Sequence, residues 1–239
     1  YMRISNELYL KRLIVGGYEK IFEFSYDFRN EGIDTTHNPE FLQMETMWAY
    51  ADYNDNMKFT QDMLVFICRK VSGKSEFAFQ GRKINMKKWN KLSVVEALKK
   101  YAKINVEKED VKRLLQKNKI KFEKSISWGF GVALLFEELV EEKLIQPTII
   151  YDYPSETSPL AKVKEKDPRF CERFEVYING WEIANSYSEL NDPEILLDNW
   201  KKQEKKGKEG DTEAQRIDKD FLNALEVGMP PNKWFGCWS

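Results

Sequence analysis

The chain has 239 residues, of which 42% are hydrophobic and 14% aromatic, enough to form one large packed domain or two small ones. Lysine and arginine number 38 against 39 acidic residues, so the chain is not the strongly basic protein that an unassisted nucleic-acid binder usually is. Its apolar runs fall far short of the ~20 residues of a membrane-spanning helix, and none follows a basic start. These features predict a soluble globular protein and leave open whether it binds nucleic acid.

The cysteine and histidine content limits the chemistry further. Cys68, Cys171 and Cys237 are odd in number and far apart, which argues against a disulfide framework and predicts a reducing, cytoplasmic setting. The chain has one histidine, His37, and this excludes a histidine-rich metal site.

The first quarter of the chain alternates between helix and strand signals. Residues 9–15 predict a helix that ends at Gly16-Gly17, and residues 21–28 alternate apolar and polar side chains, as in a strand with one aromatic face. Residues 32–39 have the composition of a loop, and residues 41–53 predict a strand that runs into a helix.

The middle of the chain has apolar residues at helical intervals. The spacing predicts helices over residues 55–72, 93–101, 108–118 and 131–143, the second of them behind Ser93 as N-cap. We therefore expect a largely helical insertion at about residues 55–146.

The last third returns to strands and then closes with helices. A β-branched run predicts a strand over residues 148–153, and residues 174–178 and 182–187 flank Asn179-Gly180, a strong hairpin signal. Residues 192–206 and 218–227 predict two closing helices. Strands on both sides of a helical insertion indicate an α+β domain with an antiparallel sheet and flanking helices.

One group of polar residues ends the first predicted strand. Arg29 and Glu31 are two residues apart, so both side chains point to the same face. The arginine could clamp a phosphate and the glutamate could accept from an amine. The other interpretation is a surface salt bridge at a strand end, and from residues 28–32 alone this is the favoured one.

A second candidate is a carboxylate in apolar company. Glu45 lies between Met44 and Trp48, a costly place for a charge that no cation balances. A cationic ligand is one solution, and a structural lysine or arginine is the commoner one.

A third group lies on the predicted hairpin. Asn185, Tyr187 and Glu189 share one face by strand parity, and Glu175 and Glu182 stand on facing strands. Two carboxylates held close together repel each other unless a cation bridges them, and Mg²⁺ with ATP phosphates is the usual such cation.

Five sets of short strings, in one order along the chain, resemble the class II lysyl-tRNA synthetases. They are ELYLKR at residues 7–12; FRNEG at 28–32 with HNPEF at 37–41; DYP at 152–154 with SPLA at 158–161; NGWEIANSYSELND at 179–192; and RID at 216–218 with GMPP at 228–231. The resemblance implies that residues 1–239 are part of that family's catalytic core, which activates lysine with ATP and transfers it to tRNA(Lys). It also implies a homodimer in the full-length family.

The same resemblance implies a role for each matching residue. Arg29 would bind the α-phosphate of ATP and be the catalytic residue, and Glu31 would hold the adenine amino group. Phe41 would stack on adenine, with His37 and Asn38 near the phosphates. The metal pair that carries Mg²⁺ would be Glu175 and Glu182, and the lysine pocket would comprise Glu7, Glu45, Asn185, Tyr187 and Glu189.

The chain departs from the family's pattern in three places. The anticodon-binding domain and the first motif precede the point where the chain begins, and the arginine that grips the γ-phosphate in the third motif has no counterpart after Pro231. Met47 stands where an aromatic hydroxyl normally helps to close the lysine pocket. We expect a portion of an ordinary enzyme; the alternatives are a non-catalytic relative that binds lysine, a nucleotide or a partner protein, and a salt-bridge network in an interaction domain.

Overall fold

The computed structural model describes residues 2–30, 32–33, 38–208 and 217–238, and Glu31, His37 and the RID string at 216–218 therefore lie wholly or partly outside it. Contacts divide the chain into two compact units. The first comprises Tyr1–Asp52, Pro159–Lys162 and Tyr187–Ser239, and the second comprises Tyr53–Ser158 and Val163–Ser186.

Helices and strands alternate along both units, which confirms the α+β class. In the described ranges the α-helices are α1 (Glu7–Val15), α2 (Tyr53–Ser72), α3 (Val94–Ala97), α4 (Val111–Lys117), α5 (Trp128–Leu139), α6 (Pro193–Lys208) and α7 (Lys219–Gly228), and α3 continues as a π-helical turn over Leu98–Ala102. The strands are β1 (Lys20–Phe28), β2 (Glu40–Ala49), β3 (Glu76–Phe79), β4 (Arg82–Asn85), β5 (Asn90–Ser93), β6 (Thr148–Tyr151), β7 (Arg173–Ile178), β8 (Trp181–Ser188) and β9 (Asn232–Trp238).

In the first unit an antiparallel sheet lies against helices. β1 pairs with β2 from Lys20↔Trp48 to Phe28↔Glu40, and β2 pairs with β9 on its other side. The end of β8, Tyr187 and Ser188, follows β9 in the strand order. Helix α1 packs against β2 and α7.

The two faces of β1 and β2 have the reverse of the usual burial: an aromatic face is exposed and a polar face is buried. The predicted aromatic face of β1 points to solvent: Phe22, Phe24 and Tyr26 are 69%, 59% and 60% exposed. The opposite face is buried and polar, and includes Asp27 on β1 and Glu45 on β2. Since polar groups are costly to bury, this buried polar face is the expected position of a binding site.

In the second unit β5, β6 and β7 form a sheet with the start of β8. β5 and β6 are parallel, and β6 and β7 are antiparallel. Helix α5 contributes Phe136, whose ring meets those of Tyr153 and Tyr177 edge to face at centroid distances of 6.0 and 5.7 Å. β3 and β4 form a separate hairpin.

Local turn and cap signals proved accurate. Asn179 and Gly180 have φ of 58° and 81°, the left-handed pair that a two-residue hairpin turn requires, and the predicted hairpin is confirmed as β7–β8. Ser93 caps α3 in a reciprocal capping box with Glu96, and Asp218 caps α7. Helices of the described chain include none long and apolar enough to cross a bilayer.

Candidate substrate site

Glu45 is an acidic residue on the buried polar face of the first unit. It is fully buried on β2, and its Oε1 accepts hydrogen bonds from Ser5 Oγ at 2.8 Å and Gln43 Nε2 at 3.1 Å. Its Oε2 is buried and has no hydrogen-bond partner among the described residues. Burial, with a further contribution from the charge of Glu7, raises the pKa of Glu45 to about 7.

Glu189 is a second buried carboxylate, just beyond the end of β8. Its Oε2 lies 2.7 Å from the Nζ of Lys11, and its side chain is fully shielded from solvent. The Oε1 atom is buried without a hydrogen-bond partner in the described ranges. Burial raises the pKa of Glu189, and the repulsion of Glu7 and Glu45 adds to this against the lowering effect of Lys11.

Glu7, from the first turn of α1, links these residues. Its Oε1 accepts from Lys11 Nζ and from the hydroxyl of Tyr187, each at 2.5 Å. Burial and the neighbouring Glu7 charge raise the pKa of Tyr187 well above its ordinary value, so the phenol stays a donor. The Tyr187 ring also packs on the ring of Trp234 from β9, with centroids 4.9 Å apart.

Arg29 is the cation at the edge of this cluster. Its guanidinium lies 5.2 Å from the centroid of the Phe41 ring, and its Nε donates to the carbonyl oxygen of Ile4 at 3.3 Å. The positive charge of Arg29 partly offsets the rise in the pKa of Glu45. Arg29, Glu45 and Glu189 all lie in the first unit, and the charges of Arg29 and of Glu7, a neighbour of Glu189, both act on Glu45. Asn38 is exposed.

The hairpin carboxylates belong to the second unit and have their own cation. Glu175 Oε2 accepts from the hydroxyls of Tyr153 and Tyr177, each at 2.6 Å, and its Oε1 accepts from Arg173. Burial lowers the pKa of Arg173, but the charges of Glu175 and of other neighbours, including Glu182, outweigh that effect, so the pKa is raised.

Asn185, predicted to line the lysine pocket, also contacts this arginine. Its Oδ1 accepts from Arg173 Nε at 3.2 Å. Among the described residues no group of three or more histidine, cysteine or acidic side chains is arranged to hold a metal ion. In the structure the cation beside Glu175 is thus Arg173.

Sequence reasoning missed three residues that shape these groups. Lys11 stands four residues after Glu7, a spacing that places both on one helix face, and this signal was available. Arg173 stands two residues before Glu175 on the same strand face. Trp234 gave no such signal, because β9 itself was not predicted.

The arrangement in the first unit is an acceptor-rich pocket. The carboxylates of Glu7 and Glu189 contact one ammonium group, that of Lys11, and each interacts electrostatically with the nearby Glu45. Two buried carboxylate oxygens lack donors in the described part of the chain. Buried acceptors without donors are rare in folded proteins. Such a pocket suits a ligand that carries amino groups, with Arg29 nearby for an anionic group.

The chain belongs to the class II tRNA synthetases. The family described as tRNA synthetases class II (D, K and N) matches residues 1–237. Lysine–tRNA ligase 2 of Methanosarcina mazei is 50% identical over 99% of this chain and 47% of its own length, and the same-named protein of Methanosarcina acetivorans is 49% identical. Lysine–tRNA ligase of Clostridium novyi is 45% identical over 99% of this chain and 48% of its own length. The chain spans about half the length of these curated relatives.

Proposed function

We propose that this chain forms the amino-acid and nucleotide pocket of a lysine–tRNA ligase. The observation that carries the proposal is the pair of buried, donor-free oxygens, Glu45 Oε2 and Glu189 Oε1, because two amino groups of one substrate would supply the missing donors. The names of the relatives give the same substrate class.

The chemistry asks the protein for alignment and charge neutralisation. The carboxylate of lysine attacks the α-phosphorus of ATP in line, pyrophosphate leaves, and the lysyl group then passes to the terminal ribose of tRNA(Lys). Glu7, Glu45 and Glu189 would receive the two amino groups, and Arg29 would neutralise the α-phosphate. The contact of Arg29 with Phe41 fits a site in which the ring also stacks on adenine.

The remaining nucleotide contacts rest on the resemblance. Glu31 would hold the adenine amino group, and His37 and Asn38 would lie near the phosphates. Asn185 and Tyr187 would complete the lysine pocket. In the longer protein we expect a homodimer in the cytoplasm, with tRNA(Lys) as the further partner.

Magnesium would enter as part of the substrate MgATP. Carboxylates are the ligands that Mg²⁺ prefers, so Glu175 and Glu182 have suitable chemistry. Both oxygens of Glu175 already accept hydrogen bonds, one of them from Arg173, so the described residues do not form a metal cage by themselves. The phosphate oxygens of ATP would have to supply the remaining ligands.

Lysine-dependent exchange of pyrophosphate into ATP tests the function. We expect exchange from this chain joined to the segments that its relatives have on either side. Glu189→Gln should lower kcat/KM for lysine by about 100-fold or more, since it removes a charged partner of an amino group. Glu165→Gln, which changes an exposed carboxylate, is the matched control and should leave exchange unchanged.

The alternatives give different outcomes in the same assay. Lysine binding without exchange in the extended protein would favour a non-catalytic binding protein. Absence of lysine binding altogether would leave only a salt-bridge network. For residues 1–239 alone we expect little turnover, because loss of a phosphate-gripping arginine costs orders of magnitude in rate, and robust exchange by this piece would contradict that expectation.

A further inference from the structure

Lys11 is a fully enclosed ammonium group in the candidate pocket. Its side chain is 2% exposed, and its Nζ lies 2.5 Å from Glu7 Oε1 and 2.7 Å from Glu189 Oε2. The ammonium also stands 5.7 Å from the ring centroid of Tyr187 and 5.8 Å from that of Phe221 on α7. A lysine so enclosed keeps its charge only because of those carboxylates: burial alone lowers the pKa of Lys11, and Glu189 and Glu7 together raise it above the ordinary value.

The charges of the pocket can be balanced group by group. When ionised, Glu7, Glu45 and Glu189 carry three negative charges, and Lys11 cancels one of them. Two negative charges remain, which equals the positive charge of two amino groups. The carboxylate of the substrate would then face Arg29, the cation beside Glu45.

We propose that Lys11 is a positioning and specificity-determining residue. Its ammonium neutralises one of three pocket carboxylates, so the pocket keeps two negative charges, which match the two amino groups of a diamine. Without Lys11 a third negative charge would remain and would favour a triply charged ligand or the uptake of a proton. The inference rests on the proposed function and deepens it. Lys11 also holds Glu7 and Glu189 from one side, so that Glu189 Oε1 stays free of partners in the described chain.

The groups that face Glu189 and Lys11 come from several elements. α1 contributes Glu7, β2 contributes Glu45 and β8 contributes Tyr187. Further out, Asp27 on β1 and Arg29 act on Glu45 with opposite signs. Lys11 is thus the nearest cation to Glu189 among the described residues that influence it.

Removal of this cation should change how the pocket binds protons. A positive charge within hydrogen-bonding distance lowers the pKa of a carboxyl by about 1–3 units, and Lys11→Met deletes it with little change in side-chain length. Glu189 would then keep a proton to higher pH, and lysine could bind only after that proton leaves. We expect lysine affinity at pH 7 to fall by about 10-fold or more and to recover toward pH 9.

Two measurements separate this proposal from the function on which it rests. Calorimetry of lysine binding to the wild-type chain, in buffers of different ionisation enthalpy, tests the function and counts the protons released. Carboxyl titration of the ligand-free chain by NMR tests Lys11 by itself: in Lys11→Met the midpoint of Glu189, the carboxylate 2.7 Å from the lost ammonium, should rise by about 1–3 pH units, whether or not lysine binds. Where lysine binds, the variant should release up to one proton more than the wild type.

A conservative variant distinguishes charge from packing. Lys11→Arg keeps the cation and should retain wild-type titration midpoints. If Lys11→Met fails to fold, Lys11→Met combined with Glu7→Gln restores the charge balance and should fold with midpoints close to those of the wild type. Unchanged midpoints in Lys11→Met, or raised midpoints in Lys11→Arg or in the double variant, would overturn the proposal.

Discussion

Arg173→Met should destabilise the second unit by about 3–5 kcal/mol, because it leaves the Glu175 carboxylate buried without its cation. The Arg173 side chain is 18% exposed, and it donates to the buried Glu175, to Asn185 and to Ser158 Oγ. Urea unfolding at pH 7 measures the change in free energy of unfolding.

Glu175→Gln removes the other half of the pair and should cost a similar amount, because it leaves the permanently charged Arg173 guanidinium without its carboxylate. The double variant should cost less than the two single variants added together, by about 1 kcal/mol or more. A simple sum would show that the two residues do not act as a pair.

The chain has a matched control for this experiment. Arg169 and Asp167 have the same two-residue spacing and form an ion pair at 2.6 Å, but the side chain of Arg169 is 49% exposed. An exposed pair contributes about 0–1 kcal/mol, so Arg169→Met should have a small effect. Equal losses from Arg169→Met and Arg173→Met would mean that burial is not the cause.

Glu45→Gln should make the folded chain progressively more stable than the wild type as the pH rises from about 4.5 to about 7. The pKa of Glu45 is raised by burial to about 7, so between those values the unfolded chain loses this proton while the folded chain keeps it. Stability from this group is therefore fully present below the unfolded pKa and lost as the pH rises through the folded one. The free energy of unfolding of Glu45→Gln relative to that of the wild type should therefore increase by about 3 kcal/mol between pH 4.5 and pH 8.

The pH dependence is the signature of this prediction, since the new amide group also adds a constant cost. Ser5 and Gln43 can still donate to the amide oxygen, but the amide nitrogen would occupy the place of Oε2, which has no partner in the described ranges. Urea unfolding of both proteins at pH 5 and pH 8 provides the comparison. A stability difference between Glu45→Gln and the wild type that does not change with pH would contradict the assignment of a raised pKa to Glu45. The control variant Glu165→Gln should give no such change between pH 5 and pH 8.

Together these predictions separate two uses of buried charge. In the second unit Glu175 has a full set of partners, which is typical of a structural ion pair. In the first unit Glu45 and Glu189 each keep an oxygen without a donor among the described residues, at a cost in stability that a binding site explains.

Much of the secondary structure followed from local signals. The Asn179-Gly180 turn, the Ser93 N-cap and the period-two pattern of β1 each depend on a few neighbouring residues, and each prediction is confirmed. The strands β3, β4, β5 and β9 were not predicted. Three of them have only four residues, too few for a period, and strand formation then depends on pairing with distant residues.

Local sequence signals also did not predict which faces of helices and strands are buried. The apolar spacing correctly predicted α2, but its later residues are open to solvent: Phe66 is 59% and Val71 83% exposed. The alternation in β1 likewise marked an aromatic face without showing that this face would be the exposed one. A pattern gives the period of an element, whereas the neighbours that cover it determine which face is buried.

The sequence by itself determined the α+β class, the positions of most helices and strands, and the acidic residues that stand out in apolar surroundings. Only the tertiary structure decided that Lys11 also meets Glu189, that Glu175 is buried beside Arg173, and that no described residue donates to Glu45 Oε2. The physical reason is that electrostatic interactions depend on distance and burial, and the fold sets both by joining residues such as Glu7 and Glu189 that are far apart in the chain.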